Sequence, residues 1–287
     1  IIDKITEFIK ELLQGWVLTN FETMFTDVND KVGTIAGEVS KTPSTWNSGI
    51  FDMIKTLSDN VMIPIAGMII SFVLVYELIS MVIDKNNLHD FNTAIFIRFF
   101  MKACIAVMLL SKTFDIVMAV FDVGSHIVNS AASAITGSTS IDVASTLQTM
   151  FNEQFSEMSI GELLGLGMET MIVSLCMKIM SVLITVILYG RMIEIYLYVS
   201  VAPVPCATVT NREWGTIGTN YFKGLCALAF QGFFMMVCVG IYAVLVANIQ
   251  MSDNIHSALF GVMAYTVILC FSLMKTGNFA RSIFNAH

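Results

Sequence analysis

The chain has 287 residues, of which 56% are hydrophobic and only 13% are charged, and its mean hydropathy is +0.76. Because soluble globular chains carry nearer to a quarter of charged residues, this composition excludes an ordinary soluble protein. It indicates an all-α polytopic membrane protein, built from spans of about 20 residues. The net charge is −7 and basic residues form no cluster, which excludes a surface typical of nucleic-acid-binding domains.

Residues 1–60 are predicted to contain an N-terminal amphipathic helix followed by a polar loop. Apolar residues recur at helical spacing over residues 5–25, and charged residues occupy the opposite face. This helix carries too many charges for an ordinary span, so we expect it to lie at a membrane interface or on a partner. The more polar stretch from Asp27 to Asn60 is predicted to hold the loop.

Residues 61–135 are predicted to form a first membrane hairpin, with spans at 61–83 and 91–111. A weaker helix at 112–130 either extends the second span outwards or forms a separate amphipathic helix. Its polar residues fall on one helical stripe, and this stripe is either the lining of a pore or partner surface or simply a wetted helix face. The stripe consists of Asp115, Asp122 and His126.

Glu77 is the one charged residue in the first span, and Arg98 and Lys102 lie four positions apart near the start of the second. A carboxylate within a bilayer is costly and normally faces protein or water. We therefore expect Glu77 to pair with Arg98 or Lys102 across the hairpin.

Residues 168–287 are predicted to form a C-terminal membrane region with spans at 168–190, 221–249 and 257–273. Lys178 lies in the middle of the first of these spans. A lysine at the centre of a membrane helix costs roughly 2.5–3.5 kcal/mol, so we expect Lys178 to face protein.

The segment 191–210 follows that span directly and is predicted to be broken. Pro203 and Pro205 remove two backbone donors and disfavour helix at the residues before them. Arg191 and Glu194 are three positions apart, so they share a helical face and can pair. Broken backbone within a bilayer needs protein or water around it. The segment is therefore predicted to be re-entrant or interfacial and to have a functional role. An ordinary kinked helix is the alternative.

The distribution of basic residues predicts the topology. Residues 113–177 contain no Lys or Arg, so the loop 136–167 is expected outside the cytoplasm. The cytoplasmic positions are marked by Lys85, Arg191, Arg212, Lys223, Lys275 and Arg281. Five crossings, with the N-terminus outside and the C-terminus in the cytoplasm, fit this pattern.

The residues indicate no catalytic chemistry. Nucleotide-binding, zinc-protease and nucleophile-elbow motifs are absent, and the four histidines form no ligand set. The six cysteines lie singly, mostly in apolar runs, where they are typical of small packing residues rather than of disulfides or metal ligands. The sequence therefore predicts no enzyme, no metal and no cofactor.

Three stretches resemble one family. They are TWNSGIFDMIKTLSDNVMIPIAGMIISFVLVYELISMVIDKNN (45–87), RMIEIYLYVSVAPVPCATVTN (191–211) and LMKTGNFARSIFNAH (273–287). These are similar to TrbL-type conjugal transfer proteins, the VirB-six-like polytopic components of type IV secretion systems, in the form carried by integrative conjugative elements of Gram-positive bacteria. The R-x-x-E…A-P-x-P block is the most specific part of the likeness.

The resemblance implies a channel subunit of the cytoplasmic membrane for DNA or protein transfer. It also implies an oligomeric complex with ATPases, a coupling protein and other membrane subunits. Transferred DNA is a candidate partner. Candidate pore or structural residues are Glu77, Arg98, Lys102, Lys178, Arg191, Glu194, Pro203 and Pro205. A multi-pass transporter or ion channel for a small solute is the alternative function.

Overall fold

The computed structural model describes residues 2–83, 93–136, 158–249 and 255–286, and every regular element in these ranges is helical. The helices are α1 (Ile2–Ser40), α2 (Pro43–Trp46), α3 (Ser48–Leu57), α4 (Ile63–Ile83), α5 (Thr93–Ser111), α6 (Thr113–Thr136), α7 (Ile160–Val201), α8 (Pro203–Cys206), α9 (Gly215–Ile249) and α10 (Ile255–Ile283). A π-helical turn at Ser58–Met62 joins α3 to α4. Most of the predicted outer loop lies outside the described residues.

Five helical stretches in the described ranges are long and apolar enough to cross a membrane, which confirms the predicted all-α polytopic class. They are Ser48–Ile83, Thr113–Ile135, Ile160–Val201, Gly215–Asn248 and Ile255–Ile283. Many of their large apolar side chains point outwards, as expected for surfaces covered by lipid or by other subunits.

The five stretches include α6, whose role the sequence left undecided. The N–H of Lys112 donates to the carbonyl of Met108 at 3.1 Å, and the N–H of Ile116 donates to the carbonyl of Lys112 at 3.0 Å. These are the last bond of α5 and the first bond of α6, and between them the hydroxyl of Thr113 donates to the carbonyls of Leu109 and Leu110, so α6 begins as a separate helix at this point. The polar stripe of Asp115, Asp122 and His126 is exposed, while Phe114, Val117 and Phe121 are buried on the other side.

One compact unit comprises Ile1–Ser40, Val128–Tyr189 and Phe233–Thr276. Its core is formed by large apolar side chains from all of its long helices, among them Phe21, Met24, Leu166, Met177, Met235, Met236 and Leu259. Within it, the hydroxyls of Tyr242 on α9 and Thr266 on α10 share a hydrogen bond of 2.9 Å. Apolar burial thus forms the core of this unit.

The other compact unit comprises Lys41–Ile127, Gly190–Gly232 and Gly277–His287. One of its two apolar clusters brings Phe114, Val117 and Phe121 of α6 against the end of α7 and the start of α9. The other includes residues of α4 and α5 and the segment after α7. This unit contains all the candidate site residues predicted from the sequence except Lys178.

Two helices are longer than the sequence indicates. The stretch from Asp27 to Asn60 was expected to hold a loop, but α1 continues to Ser40, where Ile35 and Val39 remain in the core. Helix α7 has 42 residues and is therefore about 63 Å long, roughly twice the thickness of a bilayer core. It remains helical through residues 191–201, because the first helix-breaking residue is Pro203.

Candidate functional site

Glu77 forms the centre of a polar cluster between α4, α5 and the chain that follows the break. Its side chain is buried, with 8% of the residue exposed. The carboxylate accepts hydrogen bonds from Nζ of Lys102 and, at 3.2 Å, from Nδ2 of Asn211. Of the two partners expected from the sequence, Lys102 reaches Glu77 and Arg98 remains exposed on α5.

Asn211 also shapes the turn that leads into α9. Its Oδ1 accepts the backbone N–H groups of Glu213 at 2.8 Å and Trp214 at 2.9 Å, which is a typical role of asparagine in turns. One side chain therefore closes the turn and ties it to the buried carboxylate.

Tyr76 adds a second link between α4 and this turn. Its hydroxyl donates to Oε2 of Glu213 at 2.7 Å, and its ring stacks on Trp214 with centroids 5.5 Å apart. We call Tyr76, Glu77, Lys102, Asn211 and Glu213 the Glu77 cluster. An open groove of about 670 Å³ runs beside it, and the half-exposed Lys102 is among the residues that line this groove.

The break itself is short and buried. Pro203 and Pro205 are both buried in α8, a single helical turn whose amide of Cys206 donates to the carbonyl of Ala202 at 3.2 Å. Val204 and Ala207 pack on small and apolar residues of the α4–α5 hairpin, which are Ala66, Ile70, Ala106 and Leu110. Protein thus surrounds the interrupted backbone, which is the condition under which broken backbone is tolerated inside a bilayer.

The predicted pairing of Arg191 with Glu194 does not form. Glu194 instead accepts a hydrogen bond from Arg281 of α10. The Arg191 side chain turns into the unit, with 7% of the residue exposed, and its Nε has no hydrogen-bond partner in the structure. Sharing a face of α7 was therefore not sufficient, because a second helix, α10, brings a competing cation to the carboxylate.

Two tyrosines anchor the last turns of α7. The hydroxyl of Tyr196 donates to the carbonyl of Pro43 at 2.7 Å, and the carbonyl of Tyr198 accepts from the hydroxyl of Tyr221 at 2.8 Å. Sequence reasoning missed these tyrosines, together with Asn211 and Arg281. An aromatic or asparagine residue near a proline break is too common to single out without the fold.

Lys178 was expected to face protein, but within this single chain it lies on an exposed face. Helix α7 turns Met177 into the core and leaves Lys178 exposed on the outward face.

In the described ranges, no group of three or more His, Cys, Asp or Glu side chains is arranged to hold a metal ion. Burial raises the pKa of the Cys206 thiol, so this cysteine is protonated at neutral pH.

Comparison with known proteins assigns the chain to a family. Residues 28–203, more than half of the chain, match the family described as TrbL/VirB6 plasmid conjugal transfer like protein. No curated protein and no solved structure matches the chain. The chain therefore belongs to the TrbL/VirB6 plasmid conjugal transfer like family and is a multi-pass membrane component of a conjugal transfer system.

Proposed function

We propose that this protein is a structural channel subunit of a conjugative type IV secretion system and has no catalytic activity of its own. It helps DNA or protein cross the cytoplasmic membrane, together with ATPases, a coupling protein and other membrane subunits. Its N-terminus lies outside and its C-terminus in the cytoplasm, as the basic residues indicate. The gene for this protein is carried by an integrative conjugative element of a Gram-positive bacterium, as the sequence resemblance implies.

The observation that carries this proposal is the Glu77 cluster, together with the buried Arg191. Charged groups inside apolar helices are costly, and membrane proteins use them for paths through the bilayer or for holding irregular backbone. Here the cluster holds the turn after the proline break and borders an open groove. That arrangement is consistent with a subunit whose broken segment lines part of a channel through the membrane.

Conjugation frequency tests the proposal. We expect deletion of the gene to abolish transfer of the host element and the wild-type gene to restore it. Arg191→Ala and Glu77→Ala are expected to fail to restore transfer while the protein remains in the membrane at its normal level. Membrane level is measured by immunoblot of the same cells.

Exposed residues of the same types provide the matched controls. Asp52→Ala on α3 and Arg98→Ala on α5 remove charges that make no ion pair in the described part of the chain. Both are expected to transfer normally. Full transfer by Glu77→Ala and Arg191→Ala, at normal protein level, would argue against a channel role for this region.

A transporter or ion channel for a small solute is the second candidate. A buried carboxylate beside interrupted backbone is also the kind of site that secondary transporters use for coupling ions. This function requires substrate-dependent flux in proteoliposomes that contain this chain alone. Such flux, combined with unimpaired transfer in the deletion strain, would favour the transporter over the channel subunit.

A further inference from the structure

Helix α1 packs along α7 in parallel and in register. Nδ2 of Asn20 donates to Oγ1 of Thr170 at 3.1 Å, and Nζ of Lys31 donates to the carbonyl of Met177 at 3.3 Å. These partners are 150 and 146 positions apart in the chain, and a near-constant separation over eleven residues means that the helices run in the same direction. A residue of α1 therefore lies at the height of the α7 residue about 150 positions later.

Lys178 interrupts an apolar face of α7 that points away from the core. The exposed apolar residues of this face include Leu164, Met168, Met171, Leu175, Val182 and Tyr189. Lys178 lies near the middle of the apolar stretch 168–190, roughly 15 Å from either end of it at 1.5 Å per residue. A lysine side chain cannot span that distance to reach water, so its ammonium group needs a partner within the bilayer.

The outward face of α1 has the opposite character. Its exposed residues follow one helical stripe and are polar or small, namely Glu22, Thr26, Asp30, Thr34 and Gly37. Among the described side chains from residue 17 to residue 40, no large apolar one is exposed. This face is unsuited to lipid, although it lies beside the most apolar part of α7.

We propose that Lys178 of one copy of this chain pairs with Asp30 of a neighbouring copy. Both side chains are exposed, and neither has an ion-pair partner within the described part of the chain. By the register of α1 and α7, Asp30 lies at the height of residue 180, within about 3 Å of Lys178. Rotation about an axis parallel to the helices preserves height, so a cyclic oligomer brings these opposite charges together.

The surface beside Asp30 has room for the incoming lysine. A recess of about 110 Å³ between α1 and α7 is lined by Asp30, Ser181 and Thr185, among others. The two hydroxyls and the carboxylate are suitable acceptors for an ammonium group. The contact is heterologous, since it joins the α7 face of one copy to the α1 face of the next, and such contacts form a ring when the rotation between copies closes.

Disulfide crosslinking between two differently tagged copies tests this contact. Asp30→Cys on one copy and Lys178→Cys on the other are co-expressed and oxidised in membranes, with the native cysteines retained. We expect a crosslinked band that contains both tags and requires both new cysteines. As the control, Asp30→Cys is combined with Leu164→Cys, which lies on the same α7 face about 21 Å nearer the start of the helix, and no such band is expected.

Charge exchange provides a second readout that does not depend on cysteine chemistry. Asp30→Lys and Lys178→Asp are each expected to reduce the size of the complex on native gels, and the double variant is expected to restore it. A disulfide that forms only when both cysteines are in one chain would overturn the proposal. So would labelling of Asp30→Cys by water-soluble thiol reagents without any crosslink. Both readouts report subunit contact and remain valid if Glu77 and Arg191 prove dispensable for transfer.

Discussion

Glu77 and Lys102 form an ion pair whose two members differ in their access to water. The carboxylate is buried, whereas the lysine side chain is 42% exposed beside an open groove. Removing a partner from a buried charge is more costly than removing one from a charge that can turn to water. The pair is therefore expected to respond unequally to its two single substitutions.

We predict that Lys102→Met destabilises the protein more than Glu77→Gln. The first leaves a buried carboxylate with Asn211 as its partner and is expected to cost about 3 kcal/mol. The second leaves a lysine that reaches water and a neutral amide that still accepts from Asn211, at a cost of about 1 kcal/mol. Thermal unfolding in detergent measures both, and the double variant is expected to recover most of the loss. A larger loss for Glu77→Gln would contradict this burial asymmetry.

Cys206 reports on whether the break is packed. Its thiol is buried in α8, and burial raises its pKa, so little thiolate is present at neutral pH. We predict that a charged maleimide labels Cys206 at least about tenfold more slowly than an engineered Ser282→Cys. Raising the pH from 7 to 9 should speed labelling at position 282 and leave Cys206 slow until the protein unfolds. Rapid labelling of Cys206 in the folded protein would mean that the break is open.

At the scale of single elements, the start of α9 approaches the break closely. A Cβ atom added at Gly218 would lie 2.7 Å from the carbonyl oxygen of Pro205 and 2.3 Å from a methyl group of Val209. Backbone cannot move aside as a flexible side chain does. Glycine at this position therefore allows α9 to pack against the broken segment.

We predict that Gly218→Ala destabilises the protein by roughly 1–3 kcal/mol, through overpacking against the break. Gly190→Ala is the matched control, because an added Cβ at Gly190 in α7 would meet no atom of the described residues within 4 Å beyond its own helical turns. This control should be neutral or stabilise α7 by about 0.5–1 kcal/mol, since alanine favours helix. Thermal unfolding of the two variants in the same detergent compares them. Equal stability would show that α9 does not approach the break this closely.

At the scale of the whole molecule, the packing of α1 along α7 bears on the topology. If only the five spans predicted from the sequence cross the membrane, both ends of α1 lie outside. Parallel packing along α7 instead places Ser40 at the same end as Tyr189, the end that the proposed orientation puts in the cytoplasm. We propose that α1, although it is not among the five apolar stretches, crosses together with α6, α7, α9 and α10, because this arrangement retains the proposed sides of both termini. In that arrangement the α4–α5 hairpin enters and leaves from the cytoplasm.

We predict that Lys41→Cys is labelled from the cytoplasmic side, as is Ser282→Cys, and that Ser138→Cys is labelled from outside. Each variant is treated in intact cells with a membrane-impermeant maleimide, and then again after permeabilisation. Labelling of Lys41→Cys in intact cells would show that α1 does not cross the membrane. It would favour the five spans that were predicted from the sequence. Labelling of positions 138 and 282 from the same side would contradict the proposed orientation altogether.

The sequence by itself determined the properties that depend on composition and on neighbouring residues. The membrane class follows from apolar content, the break after residue 201 from the geometry of Pro203 and Pro205, and the family from residues 28–203. The sequence also predicted that the Glu77 carboxylate needs a protein or water environment, because Glu77 lies within an apolar run where a charge is costly.

Only the tertiary structure decided which charges meet. Lys102 rather than Arg98 reaches Glu77, and Arg281 rather than Arg191 reaches Glu194, because these choices depend on how helices distant in sequence pack together. The tertiary structure also decided what α1 contacts. Its charged residues predicted a helix at an interface or on a partner, and the structure packs its apolar face against α7. Periodicity shows that a helix has two faces, but it does not show what lies against each of them.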